Sequence, residues 1–312
     1  MEAYRRLSEN ILRQFIDACA VYEEYRRVDS EASRYMGGMY WKVQGPYEYL
    51  VRTAPDNTQT RLGPRSDETE HVYVTFKEKK AEVETRLRHL WTAVKEAARV
   101  NTALRVGRVP SPVVDFLVRL DDAGVAGFFT IVGLAALFAY ETRAGVRFSI
   151  AGSPVGKWCS LAGARDGIQV LVDMPMSHRA LLEMLQLVDE SFCWKTTQPP
   201  VAVNDHAFEV ECLCRPTVCD ESTAGIQSNT GNRRLASPGV DEPVRAGDKL
   251  EQIIVGSNGR MAVMRTLPPE RFIQFMTSAV NDSRSCNPEE RRRMSFQIDA
   301  VQILLDDNLL ST

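Results

Sequence analysis

Long uncharged runs are scarce in this chain. The one tempting segment, Gly124–Tyr140, is shorter than the ~20 residues a membrane span needs and carries internal glycines, so no membrane contact is expected. Charge of one sign is not in excess either. A formal net charge of −3 gives no global attraction to nucleic acid or anionic lipid, and any such contact must come from a local patch. Histidine occurs only at 71, 89, 178 and 206, mostly in helical or charged settings, which disfavours a Cys–His nucleophile pair. Cysteine is sparse and odd in number, with seven residues scattered along the chain, as suits reduced thiols in a cytoplasmic protein. Cys212, Cys214 and Cys219 beside His206 lack a structural zinc spacing. The run Gly152-Ser-Pro-Val-Gly-Lys157 lacks the Lys-Ser/Thr ending of a phosphate loop because Trp158 follows, which leaves Lys157 as a phosphate contact at most. No internal repeat and no coiled-coil heptad is apparent.

What is present is an ordinary globular composition, 44% hydrophobic and 25% charged, over 312 residues, enough for two domains or one with additions. Residues 3–35 show helical periodicity through Leu7, Ile11, Phe15, Cys19 and Tyr22. Three short strands follow in 36–65, divided by Gly45-Pro46 and Pro55-Asp56-Asn57. Their aromatics are expected to pack on the first helix. Alternatively, aromatics mixed with Lys42, Arg52, Arg61 and Arg65 offer a stacking surface for single-stranded nucleic acid. A long helix then runs to about Ala103, with Leu87, Leu90, Trp91, Val94 and Ala98 as its buried stripe. Val109-Pro110-Ser-Pro112 marks a boundary, where Ser111 can cap helix 113–122 before Gly124 stops it.

The centre of the chain is the stretch Phe128–Asp173. It reads as a buried strand, a turn at Gly133, a helix over 134–143, a loop of small residues and a second buried strand, Ile168–Val172, ending at Asp173. A helix over 177–192 follows. Residues 207–214 alternate as a strand, with Phe208, Val210 and Cys212 on one side and Glu209, Glu211 and Leu213 on the other. Residues 217–248 read as a polar surface loop, followed by two short strands and two helices. Arg291-Arg292-Arg293 read as a solvated helix surface or a phosphate contact. The expected division is 1–110, 111–216, 217–248 and 249–312.

Several passages together resemble a known family: Tyr40-Trp41-Lys42, Leu62-Gly-Pro-Arg-Ser-Asp-Glu-Thr-Glu70, Val132-Gly-Leu-Ala-Ala-Leu-Phe-Ala-Tyr-Glu141 and Phe208-Glu-Val-Glu-Cys212. The family is the bacterial nucleotidyltransferase-fold proteins, a branch of the DNA polymerase β-like nucleotidyltransferase superfamily. The resemblance spans about 36–216 and, more weakly, 253–305. It implies an α+β fold, a nucleotidyltransferase-type mixed sheet with flanking helices, preceded by a helix and small sheet and closed by helices. It also implies phosphates held at a glycine turn and three carboxylates holding two Mg²⁺ ions. Gly133 matches the glycine, followed by Leu134 where a small or hydroxylated residue is expected. Aligning on Val-Leu-Val-Asp173 puts Gly167 and Gln169 in the two aspartate positions; a shift by one residue puts Asp166 and Ile168 there. Glu211 matches the third acid, and Gln274 stands near a usual lysine.

Three functional readings follow. The first is nucleotidyl transfer from an NTP with Mg²⁺ to a protein or RNA acceptor. Here Asp166, Asp173 and Glu211 serve as metal and catalytic residues, and Gly133 and Lys157 hold the nucleotide. The second is a catalytically degenerate module acting in nucleotide binding or protein interaction. The third is nucleic-acid binding through 39–65.

Overall fold

A computed structural model describes residues 3–149, 167–173, 176–195, 201–214, 249–282 and 288–310. The chain divides into two compact units, one of Met1–Leu12 with Leu104–Thr312, the other Arg13–Ala103. Among the described residues, no helix is long and apolar enough to cross a membrane.

The Arg13–Ala103 unit is built on α1 (Glu9–Ser33), whose first turn precedes it, and α2 (Asp67–Ala103). Their side chains meet in antiparallel order. Gln14 Nε2 donates to Asn101 Oδ1 at 3.1 Å, and Tyr25 packs on Trp91 with ring centroids 5.6 Å apart. Glu24 bridges Arg27 and Arg86, and the hydrogen bond from Arg27 chiefly holds its carboxyl down to about 2. Buried and half-buried positions of α2 recur every three or four residues from Tyr73 to Asn101. That coiled-coil-like spacing is masked in the sequence because Lys80 and Asn101 interrupt its apolar stripe, and Trp91, expected inside, is half-exposed.

Strands β2 (Gly38–Gln44), β3 (Tyr47–Thr53) and β4 (Gln59–Pro64) form an antiparallel meander. One face carries Met39 and Leu50, which pack with Phe76; Trp41 lies 5.8 Å from Tyr73. Tyr73 and Phe76 belong to α2, so this face packs on the second helix, joined there by Tyr35 from just beyond α1.

In the larger unit, Tyr4–Arg6 is strand β1 and not the start of a helix. It pairs antiparallel with β6 (Val146–Phe148) in the register Tyr4↔Phe148 and Arg6↔Val146. Helix α3 (Ser111–Asp122) takes Ser111 as its first residue, makes no side-chain cap and ends where Gly124 turns at φ +70°. Then come β5 (Phe129–Val132), a 3₁₀ turn (Gly133–Ala135), α4 (Ala136–Ala144), β7 (Gly167–Val172) and α5 (His178–Val188). Two strands unforeseen in the sequence, β8 (Cys193–Trp194) and β9 (Val201–Val203), precede β10 (Glu209–Cys214). Strands β11 (Leu250–Val255) and β12 (Met261–Thr266) and helices α6 (Pro269–Asp282) and α7 (Pro288–Asp306) complete the unit.

The result is a mixed α+β fold on one seven-stranded sheet ordered β11-β12-β5-β7-β10-β9-β8. β12 joins β5 in parallel, β5 joins β7 antiparallel, and β7 joins β10 in parallel. The C-terminal strands therefore belong to the central sheet rather than standing apart. Strand alternation gives the sheet two apolar faces. One holds Ile131, Val170, Val210 and Met264 against α3 and α5; the other holds Val132, Leu171 and Leu213 with Phe272, Val301 and Leu304 of α6 and α7.

Candidate functional site

Gly133 sits where β5 gives way to the 3₁₀ turn, at φ +69°, a conformation glycine adopts without a side-chain penalty. A second constraint is steric, because a β-carbon on residue 133 would overlap Oε1 of Gln169. Behind the turn, α4 is anchored by Tyr140. Its hydroxyl donates to the Leu267 carbonyl at 2.7 Å, and burial pushes its pKa up. Thr266 adds a bond of 2.8 Å from Oγ1 to the Ile131 carbonyl, joining β12 to β5. Glu141, one residue after Tyr140, is buried against Arg108, and its carboxylate also accepts from the Phe148 N–H at 2.6 Å. The turn is thus held from several sides.

Register decides what faces it. Val132 lies opposite Gln169, and Gln169 opposite Glu211. Directly paired residues share a sheet face, so Gln169 and Glu211 project beside Gly133, whereas Ile168 and Val210 enter the first core. The Gln169 amide donates from Nε2 to Glu211 Oε2 at 2.8 Å. Of the two alignments open in the sequence, the one with Gln169 in a paired-acid position puts that residue on the Gly133 side, whereas Ile168 of the other enters the first core. Gly167 lies opposite Glu209, where a β-carbon would come 2.8 Å from the Glu209 carbonyl oxygen. Glu209 itself is paired with Lys195.

Asp173 shares the face but not the place. Four residues along a strand separate it from Gln169 by roughly 13 Å. Its main chain continues the β5 ladder through Phe128, and its carboxylate accepts from Thr130 Oγ1 at 3.0 Å and pairs with Lys249. The Lys249 ammonium is buried and also donates to the Gly127 carbonyl at 2.7 Å. Asp173 thus fastens the junction of β5, β7 and the start of β11, and the structure does not bring it to Glu211. Asp166 and Lys157 lie outside the described residues. Gln274 is exposed on α6, Arg291, Arg292 and Arg293 are exposed on α7, and Cys212 is buried in the first core.

A pair of divalent cations needs several anionic oxygens at close spacing. Among the described residues, no group of three or more His, Cys, Asp or Glu side chains is placed to hold a metal ion. At the Gly133 turn Glu211 supplies one carboxylate, Gln169 presents N–H donors to it, and Gly167 supplies no side chain. The described donor set does not fit a two-cation centre. Sequence reasoning anticipated the Gln169 position but missed Lys249, Thr130 and Lys195, whose partners are set by distant strand pairing.

Neither the curated proteins nor the solved structures contain a match to this chain. A family model described as nucleotidyltransferase matches residues 111–309, well over half the chain and the span that holds β5, Gly133, β7 and β10. By that match, and in keeping with the mixed sheet and its glycine turn, the chain belongs to the nucleotidyltransferase family.

Proposed function

We propose that this chain is a catalytically degenerate nucleotidyltransferase-family protein, which uses the fold to hold a nucleotide or a protein partner without transferring the nucleotidyl group. The observation that carries this reading is the Gln169–Glu211 hydrogen bond of 2.8 Å beside Gly133. An amide in the second acidic position occupies the carboxylate opposite it and packs over the glycine. Toward Glu211 it presents an N–H donor, and its neutral oxygen is a far poorer cation ligand than a carboxylate.

A second reading is nucleotidyl transfer from an NTP with Mg²⁺ to an unidentified protein or RNA acceptor. It draws on the family match and on Glu211, which reaches the glycine turn as the third acid is expected to do. Asp166 would add a ligand, with Lys157 at the phosphates; Asp173, paired with Lys249 at the far end of β7, would not.

Incubation with α-labelled NTPs and Mg²⁺ or Mn²⁺ separates the two. The degenerate reading expects no labelled product and no release of pyrophosphate, with wild type and Glu211→Ala alike. Metal-dependent product that Glu211→Ala abolishes overturns it in favour of transfer. Calorimetry with unlabelled NTPs then distinguishes a nucleotide-holding role from a protein-interaction role.

A further inference from the structure

The meander of the Arg13–Ala103 unit has two faces with different fates. The inner face buries Met39 and Leu50 against α2 and uses up its cations. Arg65 pairs with Glu48 and Glu70 and lies over the Trp41 ring, and Arg52 donates to the Arg34 carbonyl at 2.6 Å. The outer face is read from register: Tyr40↔Val51, Lys42↔Tyr49, Gln44↔Tyr47 and Val51↔Arg61. It therefore carries three tyrosines and two cations, and no Asp or Glu of the three strands shares it.

On this face Val51 is buried and Tyr49 half-buried, while the remaining aromatics and both cations are exposed. Tyr47 is 61% exposed and Tyr40 37%. The Tyr47 and Tyr49 rings lie 6.4 Å apart, and the Arg61 guanidinium lies over Tyr49 at 3.1 Å from the ring centroid. Neither Lys42 nor Arg61 forms an ion pair among the described residues.

We propose that this face binds single-stranded nucleic acid, its bases stacking on Tyr40, Tyr47 and Tyr49 and its phosphates meeting Lys42 and Arg61. Aromatic rings on an open sheet face take unpaired bases of any sequence, and cations between them track the backbone. The absence of carboxylates on this face removes the repulsion that the net negative chain would otherwise oppose to a polyanion. A base-paired duplex hides its ring faces and leaves the tyrosines nothing to stack on. The proposal concerns a surface remote in sequence from Gly133 and stands or falls independently of nucleotide binding there.

Fluorescence anisotropy of the full chain with end-labelled oligo-rU and oligo-dT tests it, at salt from about 50 to about 200 mM. Binding is expected at low salt. It should weaken about tenfold or more in the Tyr47→Ala/Tyr49→Ala double variant and survive Tyr49→Phe, which keeps the ring. Lys42→Ala and Arg61→Ala should each weaken binding and lower the salt slope by about one. Arg179→Ala, an exposed cation of α5, should change nothing. Circular dichroism confirms that each variant is folded. Absence of binding at low salt overturns the proposal, as does binding unchanged by the double variant or equal affinity for duplex. So does a loss of self-association in the double variant by sedimentation, which would assign the face to a second copy of the chain.

Discussion

Gln169 and Glu211 stand directly opposite one another on parallel strands, and the amide of one donates to the carboxylate of the other at 2.8 Å. The contact gives each strand a polar partner on a face that is otherwise apolar toward Leu171 and Leu213. Exchanging the amide for an acid should convert a hydrogen bond into a repulsion that only a cation relieves. In Gln169→Asp, two carboxylates face each other, and like charges in register destabilise by roughly 0.2–1 kcal/mol. Thermal melts should show the variant below wild type in chelator and raised by Mg²⁺ or Mn²⁺, with wild type indifferent to both. A wild-type melt that rises equally with the metal refutes the account of the site.

Gly133 carries two constraints that substitution can separate. Gly133→Ala suffers a left-handed backbone at about 1–2 kcal/mol and also the overlap with Gln169. Adding Gln169→Ala removes the overlap and leaves the backbone term. Urea unfolding of both single variants and the double should therefore give a combined loss smaller than the sum. Simple additivity would remove Gln169 from the space above the glycine.

Arg108 and Glu141 form a pair with side chains 16% and 5% exposed. Removing the cation leaves a buried carboxylate whose remaining donor is the Phe148 N–H, and such changes cost about 3–5 kcal/mol. Arg108→Met should be strongly destabilised in urea titrations. Arg108→Met/Glu141→Gln should recover much of that loss, because no uncompensated charge remains.

Gln297 on α7 is buried with its Oε1 lacking a hydrogen-bond partner among the described residues. Methionine has similar length and no polar atom to desolvate. Gln297→Met should stabilise the chain by about 1 kcal/mol, seen as a higher midpoint in urea at unchanged slope.

The parts legible in the sequence were those governed by local periodicity. The apolar runs of β5 and β7, the glycine between β5 and α4, and the alternation that separates Glu211 from Val210 needed no knowledge of distant residues. What escaped depends on pairing across the chain. Tyr4-Arg5-Arg6 continues a helical phase, yet an open edge at Val146–Phe148 draws it into a strand. Alternation puts Asp173 on the same face as Gln169 but cannot say that Lys249 will neutralise it. Cys193-Trp194 is too short to carry a strand pattern and is a strand because Val203 and Ala202 lie beside it. At the candidate site, spacing located Gln169, whereas its contacts with Glu211 and Gly133 required the register of three strands.

The order of strands in the central sheet also sets a schedule for assembly. β5, which leads into Gly133, lies between β7 and β12, and Tyr4 donates to Asp307 across 303 residues at 2.6 Å. On a ribosome that delivers the N-terminal end first, the whole Arg13–Ala103 unit is available to fold once Ala103 emerges. The sheet does not, since one side of β5 stays open until Thr266 arrives opposite Ile131. Such distant closures fold slowly. Throughout synthesis of the intervening chain, β5 and the glycine turn beyond it remain an unfinished edge, which makes this strand the place where a folding chain most needs protection from pairing with the wrong neighbour.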